Sequence, residues 1–340
     1  MDKKLRRWLM IGALFLFGLL LMYAIFTKVS FSLLIASFKN ITFGLVIWFL
    51  IASIGIMTAL TLRWNIVLRA KGFKVPFWKL FTYRVVGFGV SYVTPSARIG
   101  GEPARAALLT RHKIPFNDAL ATVIVDKMID ITMSGIFFIL GSLLILATLA
   151  LPAQLKYTVY IVGLIILVLV VYFYSRVLNG YNVFTSIFRT LKLHRIERLK
   201  KVSWQLERME RKMVSFYGEN KMAFLSAIGM SALAWVFMFM EYEVLVQLVG
   251  QNFSLYQLFF VFSVVGAATL IPVPMALGVM EAGQGGLFAV LGISAATGVA
   301  LSLMVRARDL LWTAVGFIFA IYYHIGPKFN FKKKRKKKRR

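Results

Sequence analysis

The chain has 340 residues, 59% hydrophobic and 16% charged, and 41 Lys and Arg against 13 Asp and Glu give a formal charge of +28. Soluble domains run at roughly 45–50% apolar and about 25% charged, so the two soluble domains that this length would otherwise suggest are excluded. There is no cysteine, which excludes disulfides, thiol catalysis and Cys-ligated metals, and the three histidines (His112, His194, His324) share no metal-ligand spacing; no metal and no cofactor is expected.

Behind the basic start Met1–Arg7, Trp8 to Phe26 is uncharged over 19 residues, about 28 Å as a helix, and reads as an uncleaved first span with a cytoplasmic N-terminus. Residues 28–40 are expected along the outer interface. Ile41 to Leu62 is the second span, followed by a basic inner loop of Arg63, Arg69, Lys71, Lys74 and Lys79. Ile129 to Leu151 and Tyr157 to Tyr174 follow, then Ala223 to Val249, and the last span lies within Ala295 to Tyr323. Arg176 to Lys221 holds eleven Lys and Arg and four Glu, with Leu199, Val202, Leu206, Met209 and Met213 at helical spacing; it reads as an amphipathic cytoplasmic linker. Lys332 to Arg340 is nine consecutive cations. This tail directly follows a span, so it reads as a topology anchor touching anionic lipid headgroups rather than as a nucleic-acid site.

Two segments fit no simple span. Residues 79–111 read as an apolar half, a break around Pro95, Gly100 and Gly101, and a restart at Glu102; residues 258–291 repeat the pattern with Pro272, Pro274, Gly278 and Glu281. Each half is about 14 residues or fewer, too short to cross a bilayer, and unwound backbone at membrane depth survives only inside protein or beside a watery cavity. Both are predicted to be re-entrant half-helix hairpins, the first entering from the basic cytoplasmic side and the second from outside. The fold class is therefore an all-α polytopic membrane bundle of about six full spans and two hairpins, arranged as an inverted repeat. Residues 1–327 form a single transmembrane domain and 328–340 a polybasic cytoplasmic tail.

The two blocks PSARIGGEPARAALL (95–109) and IPVPMALGVMEAGQGGLFAVL (271–291), with Arg306 further on, resemble the flippase-like membrane domain of lysylphosphatidylglycerol synthases over nearly the whole chain. The second block departs from the family's pattern, carrying Met275-Ala276-Leu277 where glycines usually follow the second proline. The resemblance implies flipping of a polar-headed phospholipid or lipid-linked sugar in a prokaryotic cell membrane. It does not imply synthase activity, because the soluble aminoacyl-transfer domain of the synthases is not expected after Arg340.

A translocated headgroup phosphate needs fixed cations or helix N-termini at mid-depth. The substrate-binding candidates are Arg98, Gly100, Gly101, Glu102 and Arg105 at the first break, Pro272, Pro274, Gly278 and Glu281 at the second, and Arg306, Arg308 and Asp309 in the last span. The competing readings are dipole capping for Glu102 and Glu281 and interfacial snorkelling for Arg98 and Arg105. Arg306 and Asp309, three apart, are expected to pair, leaving Arg308 to find another partner such as Glu281 or a lipid phosphate; two short helices meeting at a turn near Arg306 are the alternative. Asp126 and Asp130 read either as a proton-linked pair or as partners of Lys127 and nearby arginines. Of Glu241 and Glu243, at most one can face the interior.

Three function classes remain: a translocase of lipid or lipid-linked sugar, a membrane-embedded transferase acting on a lipid carrier, and an ion-coupled small-solute transporter. No DxD, HxxxD or His-rich motif supports the transferase, so no enzymatic activity is expected, and the family resemblance favours the translocase.

Overall fold

Backbone in lipid must satisfy its own hydrogen bonds, so an apolar chain of this kind folds into helices. The computed structural model describes residues 42–94, 100–148, 153–190, 197–270 and 273–323, together with Leu16, Tyr23 and Thr27; the rest of the expected first span, residues 28–40 and the basic tail lie outside the described residues. Eleven α-helices and no strand are found among the described residues: α1 (Phe43–Ala70), α2 (Phe77–Val93), α3 (Glu102–Leu109), α4 (Phe116–Thr148), α5 (Ala153–Leu178), α6 (Val183–Thr190), α7 (Glu197–Glu219), α8 (Lys221–Leu248), α9 (Leu255–Leu270), α10 (Val279–Val290) and α11 (Ala295–Tyr322).

Helices α1 and α8, and Tyr160–Val177 within α5, are long and apolar enough to cross a membrane. Helix α5 leaves Ile161, Leu164, Ile165, Val168 and Leu169 exposed, an apolar face of a kind that lipid covers. The chain is an all-α membrane helix bundle. Helices α4 and α11 have comparable length, 33 and 28 residues, but each carries charged side chains in its interior.

The two broken segments are hairpins. The Tyr83 hydroxyl near the start of α2 lies 3.1 Å from His112 Nε2, just beyond α3, so α3 returns to the level at which α2 began. At the other hairpin the Phe253 ring, before α9, lies 5.1 Å from that of Phe288 near the end of α10. Helix α11 runs from one pair of feet to the other. Its start packs on α10, and beyond its end the Tyr323 ring meets Tyr83 at 5.3 Å. The hairpins therefore enter from opposite ends of the bundle. The pairing of helices follows the same symmetry: α1 packs on α8, the α2–α11 contact is answered by α9–α4, and α3–α4 is answered by α10–α11. This is the contact pattern of an inverted repeat, with α5, α6 and α7 inserted between its halves. In the insertion, Met209 and Met213 of α7 turn inward as the periodicity predicts.

Two expectations need correction. Arg63 is not in a basic loop, because α1 continues to Ala70 and buries Arg63 to 2% exposure. Helix α4 begins at Phe116 rather than near Ile129, so Asp126 and Asp130 lie inside it. Both helices run on because the charges on one are partnered by charges on the other.

The break of the first hairpin depends on a close backbone approach. A Cβ on Gly101 would sit 1.9 Å from the carbonyl oxygen of Gly87 in α2. Neither backbone can yield without moving α2 or α3. The Gly101→Ala protein is expected to lose about 3 kcal/mol or more, read as a collapsed melting transition in detergent; a melt like that of the wild type would show that the break is not tightly seated.

Candidate functional site

The first cluster forms where α1, α2, α3 and α4 meet, and its centre is Asp126, 1% exposed. Arg63 Nε donates to Asp126 Oδ1 at 2.7 Å, and Arg84 Nη2 and Arg105 Nη2 donate to Oδ2 at 2.9 and 2.8 Å. Three guanidiniums thus converge on one carboxylate. The outer contacts spread the charge further: Arg63 reaches Asp130 (3.2 Å) and the Ser231 hydroxyl (3.1 Å), Lys127 reaches Asp130 (3.2 Å), and Arg105 reaches Glu102 (3.2 Å). The Arg105 guanidinium also lies 4.1 Å from the centroid of the Trp64 ring, a cation–π contact made effective by desolvation. Among the described residues, four cations (Arg63, Arg84, Arg105, Lys127) face three carboxylates (Glu102, Asp126, Asp130). Arg84 Nε and Arg105 Nε are buried without an acceptor among the described residues, so the cluster has spare donors.

Glu102 opens α3 and Gly101 caps it. The dipole-capping role expected of Glu102 is therefore combined with an ion pair three residues along the same helix. Gly100 lies in the turn before it. Arg98 lies outside the described residues, as does Pro272 of the second break. Asp126 is ion-paired with Arg63, Arg84 and Arg105, and Asp130 with Arg63 and Lys127.

A cavity of about 110 Å³ lies toward the Lys71 end of the bundle, lined by Val67, Lys71, Asp118, Thr122, Val125 and Lys212, among others. Val67 and Lys71 follow Arg63 at one and two turns along α1; Thr122 and Asp118 precede Asp126 in the same way along α4. Lys71 donates to Ser215 at 2.6 Å, and Lys212 is paired with Asp118. Burial pushes the Lys71 ammonium below its usual pKa, with the Glu219 carboxylate pulling the other way.

The second cluster sits at the other hairpin. Helix α11 is continuous, so its charges are interior and no surface turn forms near Arg306. The pairing also differs from expectation. Arg306 engages Glu281 in a bidentate fork, one arm at 2.7 Å, and donates to the carbonyls of Met275 (2.8 Å) and Ala276 (3.0 Å). It is Arg308 that reaches Asp309 (2.9 Å), and it also binds Glu241 of α8. Glu241 is the carboxylate of its pair that turns inward, fully buried. Its pairing with Arg308 was not legible, because the partners lie 67 residues apart and only the alternation of Glu241 and Glu243 hinted that one was interior.

Pro274–Ala276 form a single 3-10 turn, and Gly278 takes a left-handed φ of 74° before α10. Met275 and Ala276 are also left-handed, at φ 58° and 50°. The turn is kept at a cost in backbone strain of about 1–2 kcal/mol per residue, offset by Arg306, which ties down both carbonyls. Ala276→Gly removes one Cβ and should raise stability by about 0.5–1 kcal/mol after the entropy cost of glycine; a lower melting temperature would contradict this. Helix α2 touches Pro274–Ala276, so the hairpins meet inside the bundle, and Tyr92 of α2 faces Arg306.

The two clusters are related by the inverted repeat. Arg63 and Glu241 each lie twenty residues after the first residue of their helix, α1 and α8. Asp130 and Asp309 each lie fourteen residues after the first residue of α4 and α11. The cation of α1 is thus replaced by a carboxylate on α8. Among the described residues, the second cluster has two cations (Arg306, Arg308) against three carboxylates (Glu241, Glu281, Asp309), the opposite balance to the first.

Sequence comparison agrees with this architecture. The profile described as lysylphosphatidylglycerol synthase TM region matches residues 9–316. A UPF0104 membrane protein of Methanothermobacter thermautotrophicus is 28% identical over 287 residues, covering 77% of this chain and 79% of that one. Another, of Pyrococcus horikoshii, is 24% identical over 260 residues, 72% of this chain and 76% of that one. A second Methanothermobacter thermautotrophicus relative is 42% identical over a short stretch of 76 residues, and the match spans 22% of its length. With a match over most of its length and the paired hairpins in place, the chain belongs to the lysylphosphatidylglycerol synthase transmembrane-region family.

Proposed function

We propose that this protein moves a polar-headed phospholipid or lipid-linked sugar across the cell membrane, acting as a translocase and not as an enzyme. The observation that carries the reading is the first cluster: three buried arginines on one carboxylate, beside a Gly-Gly break, with two guanidinium N–H groups that have no acceptor among the described residues. A headgroup phosphate offers several charged oxygens and fits such an array better than a neutral solute does. The cavity two turns away, between Lys71 and Lys212, gives the headgroup a first station at the cytoplasmic face. In this reading both termini and residues 176–221 are cytoplasmic, and the basic tail touches anionic lipid. Labelling of a single cysteine at position 200 from outside intact cells would overturn that topology.

The test is exchange of a fluorescent phospholipid between leaflets of reconstituted vesicles, read by bleaching from one side. Wild-type protein should accelerate exchange above protein-free vesicles. Arg105→Lys keeps the charge but loses the planar fork, and should slow exchange about tenfold or more, since a charge-assisted hydrogen bond contributes about 1.5–3 kcal/mol. Wild-type vesicles no faster than empty ones would remove the reading.

A further inference from the structure

The second cluster has the opposite shortage to the first. Glu241 is fully buried, and its Oε2 is bound by Arg308, but its Oε1 has no hydrogen-bond donor at bonding geometry among the described residues. The groups facing this carboxyl are Arg308 and Asp309 from α11 and the Ser53 hydroxyl from α1. Ser53 Oγ accepts from the Trp312 indole at 2.8 Å, so its own proton is free to turn toward Glu241. Arg308 is shared with Asp309, and Arg306 is committed to Glu281 and two carbonyls. A buried carboxylate with one oxygen bound by Arg308 and the other faced by a single hydroxyl, beside a second carboxylate that shares the same arginine, is costly unless something neutralises it.

We propose that Glu241 binds and releases one proton, making the α8–α11 cluster the ion-coupling site of the protein. The step balances simply: an O–H bond forms on Oε1 with a proton taken from water at one face of the membrane, the cluster then holds two cations against two carboxylates, and the same bond breaks to return the proton to water at the other face. No electron moves. Protonation releases Arg308 from half of its ion pairing, and the Arg308–Glu241 pair is a bond between α11 and α8. Proton occupancy thereby changes the grip of α8 on α11, the helix on which α10 packs. A sodium ion fits less well, since the free oxygen is accompanied by a hydroxyl and a guanidinium rather than by the ring of oxygens that a hard cation takes. That the proton drives transport rests on the translocase reading; the proton site does not.

The experiment has two arms on the full-length protein in lipid nanodiscs or vesicles. In the first, infrared difference spectra follow the carbonyl band of protonated carboxyl groups between about pH 8 and pH 5, where solvated carboxylates, with pKa values of about 4, stay largely ionised. The wild type should gain a band that Glu241→Gln lacks and Glu243→Gln keeps. Ser53→Ala removes the hydroxyl that can turn toward the ionised carboxylate and should move the appearance of the band to higher pH, and this variant leaves the ion pairs intact if Glu241→Gln folds poorly. A band unchanged in Glu241→Gln, or no band in the wild type, overturns the proton site. In the second arm, an imposed pH gradient should speed phospholipid exchange in wild-type vesicles, and exchange by Glu241→Gln should ignore the gradient. A gradient response kept by Glu241→Gln overturns the coupling. Wild-type vesicles with no exchange at all overturn the translocase reading, while the infrared band still decides the proton site.

Discussion

The Asp126→Ala protein is expected to lose about 3–5 kcal/mol, the usual cost of removing one partner from a buried charge network, and with it most of its folded yield. The reason lies in the geometry of convergence. Arg63, Arg84 and Arg105 come from three different helices, and each uses Asp126 as a charge partner at 2.7–2.9 Å. Without it, Arg84 keeps the Leu60 carbonyl at 2.5 Å, Arg105 keeps Glu102 and Arg63 keeps Asp130, so Arg84 alone is left with no carboxylate. Asp126→Asn keeps the shape and one acceptor oxygen and should fall between the two. Adding Arg84→Met to Asp126→Asn removes the orphaned charge and should recover part of the loss. The measurement is a thermal melt in detergent across the three proteins. A wild-type melt for Asp126→Ala would mean that lipid or water screens the arginines, and that the site is far wetter than its burial suggests.

Arg306→Ala should cost a similar amount, about 3–5 kcal/mol, and should fail in a different place. Glu281 would remain fully buried with its principal partner gone, and the carbonyls of Met275 and Ala276 would lose their donor. The left-handed residues of the turn would then have nothing holding them, so the second hairpin should loosen before the first. Protease or exchange protection should drop around 273–283 and hold around 100–109. Glu281→Gln with Arg306→Met removes both charges and should be more stable than Arg306→Ala, because no buried ion is left unpaired. The double variant should still melt below the wild type, since the two carbonyls remain without a donor. If Arg306→Ala loosens both hairpins equally, the turn is not held by this side chain.

The breaks and the charged last helix were legible because proline and glycine disrupt helices locally and charges in an apolar run stand out. Glu102, Arg105, Glu281 and Arg306 were all found this way. What stayed hidden was partnership. Arg63 looked like the basic flank that ends a span, because lysine and arginine usually mark helix ends; nothing near it in sequence announces Asp126, 63 residues on, whose charge lets the helix continue. The start of α4 was lost for the same reason, since Asp118, Asp126, Lys127 and Asp130 lower its hydropathy below that of a span. Arg84 stands inside the apolar half of the first broken segment, and no residue near it in sequence points to Asp126, 42 residues on. The swap of partners between Arg306 and Arg308 could not be inferred from spacing, which gives the faces of one helix but not which neighbour each face meets.

Helix α11 seats both hairpins through glycine. A Cβ on Gly298 would strike the Gln284 carbonyl of α10, and a Cβ on Gly316 would strike the Val85 carbonyl of α2. Eighteen residues separate them, about five turns at 3.6 residues per turn, so the two seats are in phase along one edge of the helix. Asp309 falls about three turns from the first seat and shares that edge. The helix thus works as a toothed axle whose two bearings must be cut at the same angle. Inserting one residue between them turns one bearing by about 100° relative to the other and unseats one hairpin whatever the residue is, whereas exchanging apolar side chains on the opposite edge leaves the phase alone. Sequence length between these glycines is therefore constrained more tightly than sequence identity, and for the same reason neither hairpin can rotate against α11 without carrying the other with it.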